Sequence, residues 1–389
     1  MSFRYVSVFS GAGGLDIGLE RAGLRAASLC EIERVFCETL EANKGWRHED
    51  NHEYHVDSRI LNADIREVSG SDLFSEGELD LVVGGPPCQA FSSSGKQLSV
   101  LDPRGALVSE YYRIIDELRP KMFLFENVRG LVTARDAQGR PGGVITELIR
   151  ILEDLGYSVR SALLNSADFG SSQRRVRCFL LGSREGTAPL FPAPTHSKDG
   201  GLLTLPWNSL ASLLKVYAEA DETQFVFPTR VLAKQFESIP NGSGLKSPGK
   251  AEATRPNGHW GYRQGTFISD LELPARTVTG SQSQDWVRWG GALRRLTFSE
   301  IRQLQGFPRD WTFKGTKAQV YKQVGNAVPS VFGEVLGEVI VKHLMANNGG
   351  PTQKIPMPHS FQSYIDYTVK DHNRNAASRQ IHKRFAPAE

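Results

Sequence analysis

The run Leu81-Val82-Val83-Gly84-Gly85-Pro86-Pro87-Cys88-Gln89-Ala90-Phe91-Ser92 sets one thiol on a turn stiffened by two prolines, just past a short apolar stretch that reads as a buried strand. Open α/β sheets bind their ligands outside the carboxyl ends of such strands. A free thiol has a pKa of about 8.5, so only a few per cent is thiolate at neutral pH, and a cation or helix dipole must favour the anion before it can attack. Arg174 and Arg175, or the helix that follows the turn, are candidates for that neighbour. A lone cysteine is most often a small buried hydrophobe. A packing cysteine would not need Gly-Gly-Pro-Pro in front of it, so Cys88 is read as a nucleophile.

Phe123-Leu124-Phe125-Glu126-Asn127-Val128 puts a carboxylate at the end of a second apolar run. Proton donation at neutral pH requires its pKa to rise from about 4.3 towards 7, about 3 to 4 kcal/mol, which burial at an apolar strand end can supply. A third feature, Phe9-Ser10-Gly11-Ala12-Gly13-Gly14, follows the first strand-like run and opens a helix. Its glycines allow close backbone approach, and the helix N-terminus offers free N–H groups to a nucleotide-like cofactor. Glu31, about 20 residues on at the end of the next strand, suits a ribose hydroxyl pair. Asp64 and Ile65, at a third strand end, could meet an adenine by hydrogen bond and by contact.

The elements that must position these groups alternate. Strand-like runs at Tyr5–Phe9, Ala26–Glu31, Leu79–Val83, Met122–Glu126, Ser158–Leu164 and Cys178–Leu181 are separated by helical periodicity at Leu15–Ala22, Ile32–Asn43, Ala106–Leu118 and Val144–Leu155. This is the pattern of a doubly wound α/β sheet. After Gly182 the chain turns Pro-, Gly- and Ser-rich, and helical patterns return at Leu296–Leu304 and Val328–Leu344. The expected organisation is one α/β domain from residues 1–183 and 293–346, a loop-rich insertion over 184–292, and a polar C-terminal extension over 347–389 that reads either as a nucleic-acid-touching tail, with Lys383 and Arg384, or as a terminus that frays.

With 389 residues and 40% apolar content, the chain can bury a large core. A formal net charge of +3 does not announce a polyanionic partner by itself. Four scattered cysteines without paired spacing argue against a disulfide framework and a metal site. No signal peptide or membrane span is read, which fits a cytoplasmic protein that needs no metal.

The order Phe-Ser-Gly-Ala-Gly-Gly, Gly-Pro-Pro-Cys-Gln-Ala-Phe-Ser, Glu-Asn-Val, Gln173-Arg174-Arg175-Val176-Arg177 and Gly325-Asn326-Ala327-Val328-Pro329 resembles the DNA cytosine-5 methyltransferases of bacterial restriction-modification systems. Five such motifs in that order, over about residues 5–345, are specific to this family. The resemblance implies a Rossmann-like methyltransferase domain with a mostly parallel seven-stranded sheet, and a smaller loop-rich target-recognition domain. It also implies S-adenosylmethionine as cofactor, with contacts from Phe9, Gly11, Gly13, Gly14, Glu31, Asp64, Ile65, Pro87, Asn326 and Val328. Cys88 would add to C6 of a cytosine while Glu126 protonates or hydrogen-bonds N3. Arg175 and Arg177 would orient the base, with Arg175 rather than Arg177 meeting its O2 side. The base must leave the duplex for this chemistry, at a few kcal/mol.

Duplex DNA would then be the partner of a monomer found with the bacterial nucleoid, with a separate restriction endonuclease as a possible companion. The Ser- and Gly-rich loop Ser92–Arg104, which carries Lys96, is expected to close over the extruded nucleotide, and Gln89 is a further candidate for DNA contact. Arg255, Tyr262, Arg263 and Gln264 are candidates for base reading, because Arg and Gln match guanine and adenine edges. Arg276, in Leu273–Thr279, reads as structural. Two other functions compete: a tRNA cytosine-5 methyltransferase on the same template, and an inactive DNA-binding protein. An insertion of roughly 100 residues favours duplex DNA over tRNA, and the presence of Cys88, Glu126 and Arg175 speaks against an inactive chain. The RNA methyltransferases that use two cysteines would need a second thiol where Glu126 stands.

Overall fold

The computed structural model describes residues 3–87, 106–245, 265–346 and 352–366. Its largest element is a seven-stranded sheet built from β1 (Arg4–Val8), β2 (Arg25–Glu31), β3 (Arg59–Asn62), β4 (Leu81–Gly84), β5 (Met122–Val128), β6 (Ser158–Asn165) and β7 (Val176–Ser183). The strand order is β3-β2-β1-β4-β5-β7-β6. All neighbours pair in parallel except β7, which runs antiparallel to β5 and β6. Central strands are buried on both faces, which is why β4 and β5 read as unbroken apolar runs.

The first strand ends at Val8 instead of Phe9, because Phe9 adopts a left-handed backbone (φ 57°) that leaves the pleat. The strand β3 is a short edge strand of mixed polarity, too brief for its alternation to be legible, although the acid and isoleucine past its end had been singled out.

Helices α1 (Gly14–Arg21), α2 (Arg34–Asn43), α3 (Gly70–Leu73), α4 (Ala106–Leu118) and α5 (Gly143–Asp154) link these strands. The short parallel pair β8 (His196–Ser197) and β9 (Leu205–Pro206), then α6 (Leu210–Tyr217) and α7 (Arg230–Phe236), precede a four-stranded sheet. That sheet contains β10 (Ser243–Gly244), β11 (Phe267–Ile268), β12 (Trp286–Trp289) and β13 (Ala292–Arg295), so it runs three residues past the expected end of the insertion. Leu210, Leu213 and Leu214 pack in one cluster with Leu304, Phe307 and Trp311. The insertion's first helix is therefore joined to the returning chain by a shared core.

The chain returns through α8 (Phe298–Leu304), α9 (Lys317–Asn326) and α10 (Ser330–Met345). The periodicity of α9 had passed unread. A capping box, Thr316 with Gln319, marks its start in the sequence. By length and composition alone, a stretch within Lys317–Met345 is apolar enough to cross a membrane. In the fold, α10 is instead packed on α1 and the sheet, with Phe332, Leu336 and Ile340 buried.

Close approach of α1 and α10 explains two glycines. A Cβ on Gly18 would lie 1.9 Å from the Ser330 carbonyl oxygen, and one on Gly14 would lie 2.5 Å from that of Val328. Neither neighbour is a flexible side chain. Gly18→Ala is therefore expected to lower stability by about 1–3 kcal/mol or more, read as a fall in the thermal midpoint of the purified protein. An unchanged midpoint would show that the two helices can part without cost.

The C-terminal segment also departs from expectation. Residues 352–366 do not fray: Phe361 is 0% and Ile365 8% exposed, both in the main core cluster. Two aromatic and aliphatic residues four apart were a readable helical signal. Polar composition around them obscured it.

Candidate active site

Strand order reverses between β1 and β4, since the chain builds β1, β2, β3 to one side and β4, β5 to the other. A crevice opens outside the carboxyl ends of the strands at such a point. The glycine turn leaves β1 here, the Gly85-Pro86-Pro87 turn leaves β4, and Glu126 and Asn127 end β5. The three features picked out by residue type thus converge on one edge.

On the β1 side each glycine has a separate task. Gly11 (φ 60°) has nothing within 4 Å of a notional Cβ, so its face is open. Its N–H donates to a Glu31 carboxylate oxygen at 2.9 Å, and the other oxygen accepts from the Glu33 N–H at 2.9 Å. Glu31 therefore pins the turn it was expected to share a ligand with, and burial raises its pKa against those two bonds. Gly13 is left-handed (φ 84°), with Leu40 at 3.0 Å from a notional Cβ. Gly14 had been read as a cofactor contact. Its missing side chain makes room for Ala327 and Val328 of the returning chain.

At the third strand end Asp64 caps the following turn by accepting from the Arg66 N–H at 3.0 Å and pairs with the Arg66 guanidinium. That pairing holds its carboxyl below the usual range. Ile65 is buried beside it in the core. Asn326 is exposed at the end of α9, and Val328 is half-buried against Gly14. Phe9 is half-buried, with the left-handed backbone already noted. A strained non-glycine residue at a ligand crevice is a recognised sign of a working site.

On the β4 side, Pro86 is buried and Pro87 exposed. Asn127 Nδ2 donates to the Pro86 carbonyl at 3.1 Å, a tie that the sequence reading missed although Glu-Asn-Val had been noted as a unit. A Cβ on Gly85 would stand 2.8 Å from Glu126 Oε2, so the turn passes against the carboxylate. Cys88 follows Pro87 directly and lies outside the described residues, as do Gln89, Ser92, Lys96, Arg104, Arg255, Tyr262, Arg263 and Gln264. The other three cysteines are buried. Burial pushes the thiols of Cys30 and Cys37 up to about 11 and about 12, so neither can supply a thiolate at neutral pH.

Glu126 is 8% exposed, and burial raises its pKa against the pull of two nearby arginines. Its partner is Arg177, whose Nε lies 2.9 Å from Oε1. The pairing follows from register: Glu126 faces Phe179 across the β5–β7 ladder, and Arg177, two residues from Phe179, is the diagonal neighbour on the same face. Removing one member of such a buried pair leaves an uncompensated charge, at about 3–5 kcal/mol.

Arg175 has a different role from the one expected. It is 2% exposed, just before β7, and its guanidinium donates to the carbonyls of Val278 at 2.8 Å and Gly325 at 2.9 Å. Burial and the neighbouring Arg177 lower its pKa. Its two terminal nitrogens are engaged by backbone from two other segments, and Arg177 is the arginine paired with Glu126.

Gln173, to which the sequence suggested no role, is fully buried at the same junction. Its amide donates to the Leu304 carbonyl at 3.0 Å and to Gln305 Oε1 at 2.9 Å, and its oxygen accepts from the Val278 N–H at 2.8 Å. The Arg174 N–H donates to the Ala275 carbonyl at 2.8 Å, so Ala275–Val278 is stitched alongside residues 173–175. Arg276 lies over the Phe267 ring at 4.3 Å and 3.6 Å from Asp285, inside the small sheet's packing. Among the described residues no group of His, Cys, Asp and Glu could hold a metal ion.

Residues 3–342 match the family model described as C-5 cytosine-specific DNA methylase. Similar curated proteins include the Type II methyltransferase M1.HphI of Haemophilus parahaemolyticus, 31% identical over 353 residues, covering 88% of this chain and 87% of that one. The Type II methyltransferase M.PspPI of Psychrobacter sp. (strain TA137) is 33% identical over 354 residues, covering 89% and 80%. Among solved structures, the S. pombe Dnmt2 methyltransferase aligns with a TM-score of 0.62 at 16% identity, over 88% of this chain and 99% of that one. The Entamoeba histolytica methyltransferase EhMeth aligns at 0.60 and 17%, over 88% and 99%. At those identities the structural likeness speaks for the fold alone.

Proposed function

The chain belongs to the C-5 cytosine-specific DNA methylases, and from that premise we propose that Cys88, Glu126 and Arg177 carry its cytosine-5 methyl transfer, with S-adenosylmethionine held at the glycine turn. One observation carries the reading: a buried carboxyl, paired to one arginine, against which the turn leading to Cys88 is pressed.

The open face of Gly11, the Glu31 carboxylate and the Asp64-Ile65 strand end fit an adenosine-bearing cofactor. Glu31 keeps acceptor capacity for ribose hydroxyls after taking two backbone N–H groups. Phe9, Ile65, Pro87, Asn326 and Val328 would border the same cradle. When bound there, S-adenosylmethionine supplies an electrophilic methyl group.

The protein's own residues do the rest. The Cys88 thiolate adds to C6 of an extruded cytosine, and Glu126 gives a proton to N3. The displaced electron pair makes C5 the nucleophile that takes the methyl group; loss of the C5 proton to a solvent base, expulsion of the thiolate and return of the N3 proton to Glu126 then restore the aromatic ring. Arg177 holds Glu126 in place and takes the charge left on it. Arg175 and Gln173 act one layer behind, fixing the segment that carries Arg177.

Both curated relatives described above are named Type II methyltransferases, which supports protection of host DNA from a partnering restriction endonuclease as the service performed. The DNA substrate places that work wherever the chromosome lies. Incubating the purified protein with DNA and tritiated S-adenosylmethionine, followed by bisulfite sequencing, should reveal 5-methylcytosine at one repeated sequence. DNA left without label would sink the reading.

Glu31→Ala is expected to weaken S-adenosylmethionine binding by about 10- to 100-fold in a calorimetric titration, since it removes charged hydrogen bonds of about 1.5–3 kcal/mol. Unchanged affinity would remove Glu31 from the cofactor corner.

A further inference from the structure

Beneath the glycine turn lies a buried group of titratable side chains that the reaction does not use. Three residues of the turn, Phe9 (φ 57°), Gly11 (φ 60°) and Gly13 (φ 84°), take left-handed backbone at alternate positions. Such a run persists only where its surroundings over-determine it. Gly11 faces open space, whereas a Cβ on Gly13 would stand 3.0 Å from Leu40 Cδ2, 3.3 Å from His55 Nε2 and 3.7 Å from Trp311 Cζ2. Two of these supports are apolar. The third is a ring nitrogen.

His55 is 1% exposed and is itself left-handed (φ 58°), so its ring is placed at a cost in backbone strain. One carboxylate fixes it. Glu20 Oε2 accepts from the His55 N–H at 2.9 Å, and Glu20 Oε1 lies 3.0 Å from ring Nδ1 and accepts from the Tyr5 hydroxyl at 3.5 Å. The Trp311 ring meets the imidazole edge-on, with centroids 6.0 Å apart. Nε2 is thus set against Gly13, and it is buried with no hydrogen-bond partner among the described residues. A buried polar atom left unpaired in this way demands an explanation.

Glu20 and Asp16, one turn apart on α1, are both buried. Burial disfavours a charged ring at His55 and Lys44 opposes it too, but the two carboxylates outweigh both and raise its pKa. The imidazolium form presents Nε2 to the turn as an N–H instead of a lone pair. The turn above it carries the Gly11 N–H that donates to Glu31, so a shift at Gly13 would reach the whole cofactor corner.

We propose that His55 is a positioning residue for the cofactor: gripped by Glu20, its Nε2 edge holds the Gly13 turn in the shape that receives S-adenosylmethionine. This rests on the reading that S-adenosylmethionine is held at the glycine turn. Glu126 and Arg177 belong to β5 and β7, away from this floor, so the effect falls on cofactor affinity and not on turnover.

The test compares His55→Asn with His55→Gln, because the two amides divide the ring between them: that of Asn takes the place of Nδ1, and that of Gln the place of Nε2. Dissociation constants for S-adenosylmethionine are measured by calorimetric titration, beside turnover of tritiated methyl groups into DNA at saturating cofactor. His55→Asn should weaken binding about 5- to 30-fold with turnover within about twofold of the parent, the pattern of lost uniform binding. His55→Gln should restore affinity to within about threefold. Glu20→Gln keeps the volume below the turn and removes the charge that grips the ring; it should weaken binding by about 3- to 10-fold, and it decides the question if neither His55 variant folds. Parental affinity in His55→Asn or in Glu20→Gln would overturn the proposal, as would a loss in His55→Gln equal to that in His55→Asn. A parent protein that binds no S-adenosylmethionine would instead sink the cofactor reading itself, and this proposal with it.

Discussion

Cys88→Ala is expected to abolish methyl transfer, with turnover reduced by at least about 10⁴-fold, while S-adenosylmethionine binding stays close to that of the parent protein. The size follows from mechanism, because an alanine leaves no covalent route to a nucleophilic C5 and nucleophile removal in enzymes costs this much. The alternative thiols cannot take over: Cys30, Cys37 and Cys178 are buried, and the first two have strongly raised pKa values. The decisive measurement pairs this variant with a duplex carrying 5-fluorocytosine at the target. The parent protein should form an adduct that survives denaturing electrophoresis, since fluorine at C5 cannot leave as the proton does. The variant should form none. Tritium incorporation by the variant at the parental rate would show that the thiol is not the nucleophile.

Glu126→Gln should lower turnover by about 10²- to 10⁴-fold, the usual contribution of a positioned general acid. The substitution keeps the shape and lets an amide oxygen accept from Arg177, so the β5–β7 ladder should survive. What it removes is a proton that can be given to N3. The pH profile makes the assignment specific. Burial raises the pKa of Glu126, so the acid form persists to higher pH than in an ordinary glutamate and is lost as pH rises through that value. Turnover in the parent protein should accordingly fall on the alkaline side, against a rising limb from thiolate formation at Cys88. Gln has no such group, so the falling limb should disappear along with most of the rate. A full-rate variant, or one retaining the alkaline fall, would take the proton-donating role away from Glu126.

These effects depend on how the crevice is held. Glu126 and Arg177 are aligned by the pairing of one parallel and one antiparallel strand, with side chains of alternate residues on one face. Behind them Gln173 and Arg175 satisfy backbone carbonyls and an N–H from three other segments, around residues 278, 304 and 325. Buried polar groups of this kind are costly unless all are paired, and here they tie the insertion, the returning helices and β7 at one point. A change at Gln173 would reach the active site without touching substrate.

The chemistry was legible in the chain because it depends on residue type and short spacing. Gly-Gly-Pro-Pro before Cys88, Glu126 at the end of an apolar run and glycines ahead of α1 each specify local backbone, and local backbone follows from local sequence. The alternation of buried strands with amphipathic helices was likewise readable, since both periods repeat within a dozen residues. Contacts between distant segments were not. Arg175 and Arg177 look equivalent in Gln-Arg-Arg-Val-Arg, and only the register of β7 against β5 turns one to Glu126 while the other is buried among carbonyls from residues 278 and 325. Nothing near Gly14 in the sequence announces that Ala327 and Val328 pack against it. The segment 352–366 looked like a polar tail because its two anchoring side chains gain their meaning from α5 and Gly142, more than two hundred residues earlier. Sequence alone thus determined which groups could react and on which kind of turn each sits. Tertiary structure decided which of them face one another, because burial and pairing across long separations are properties of the packed chain and of no single segment.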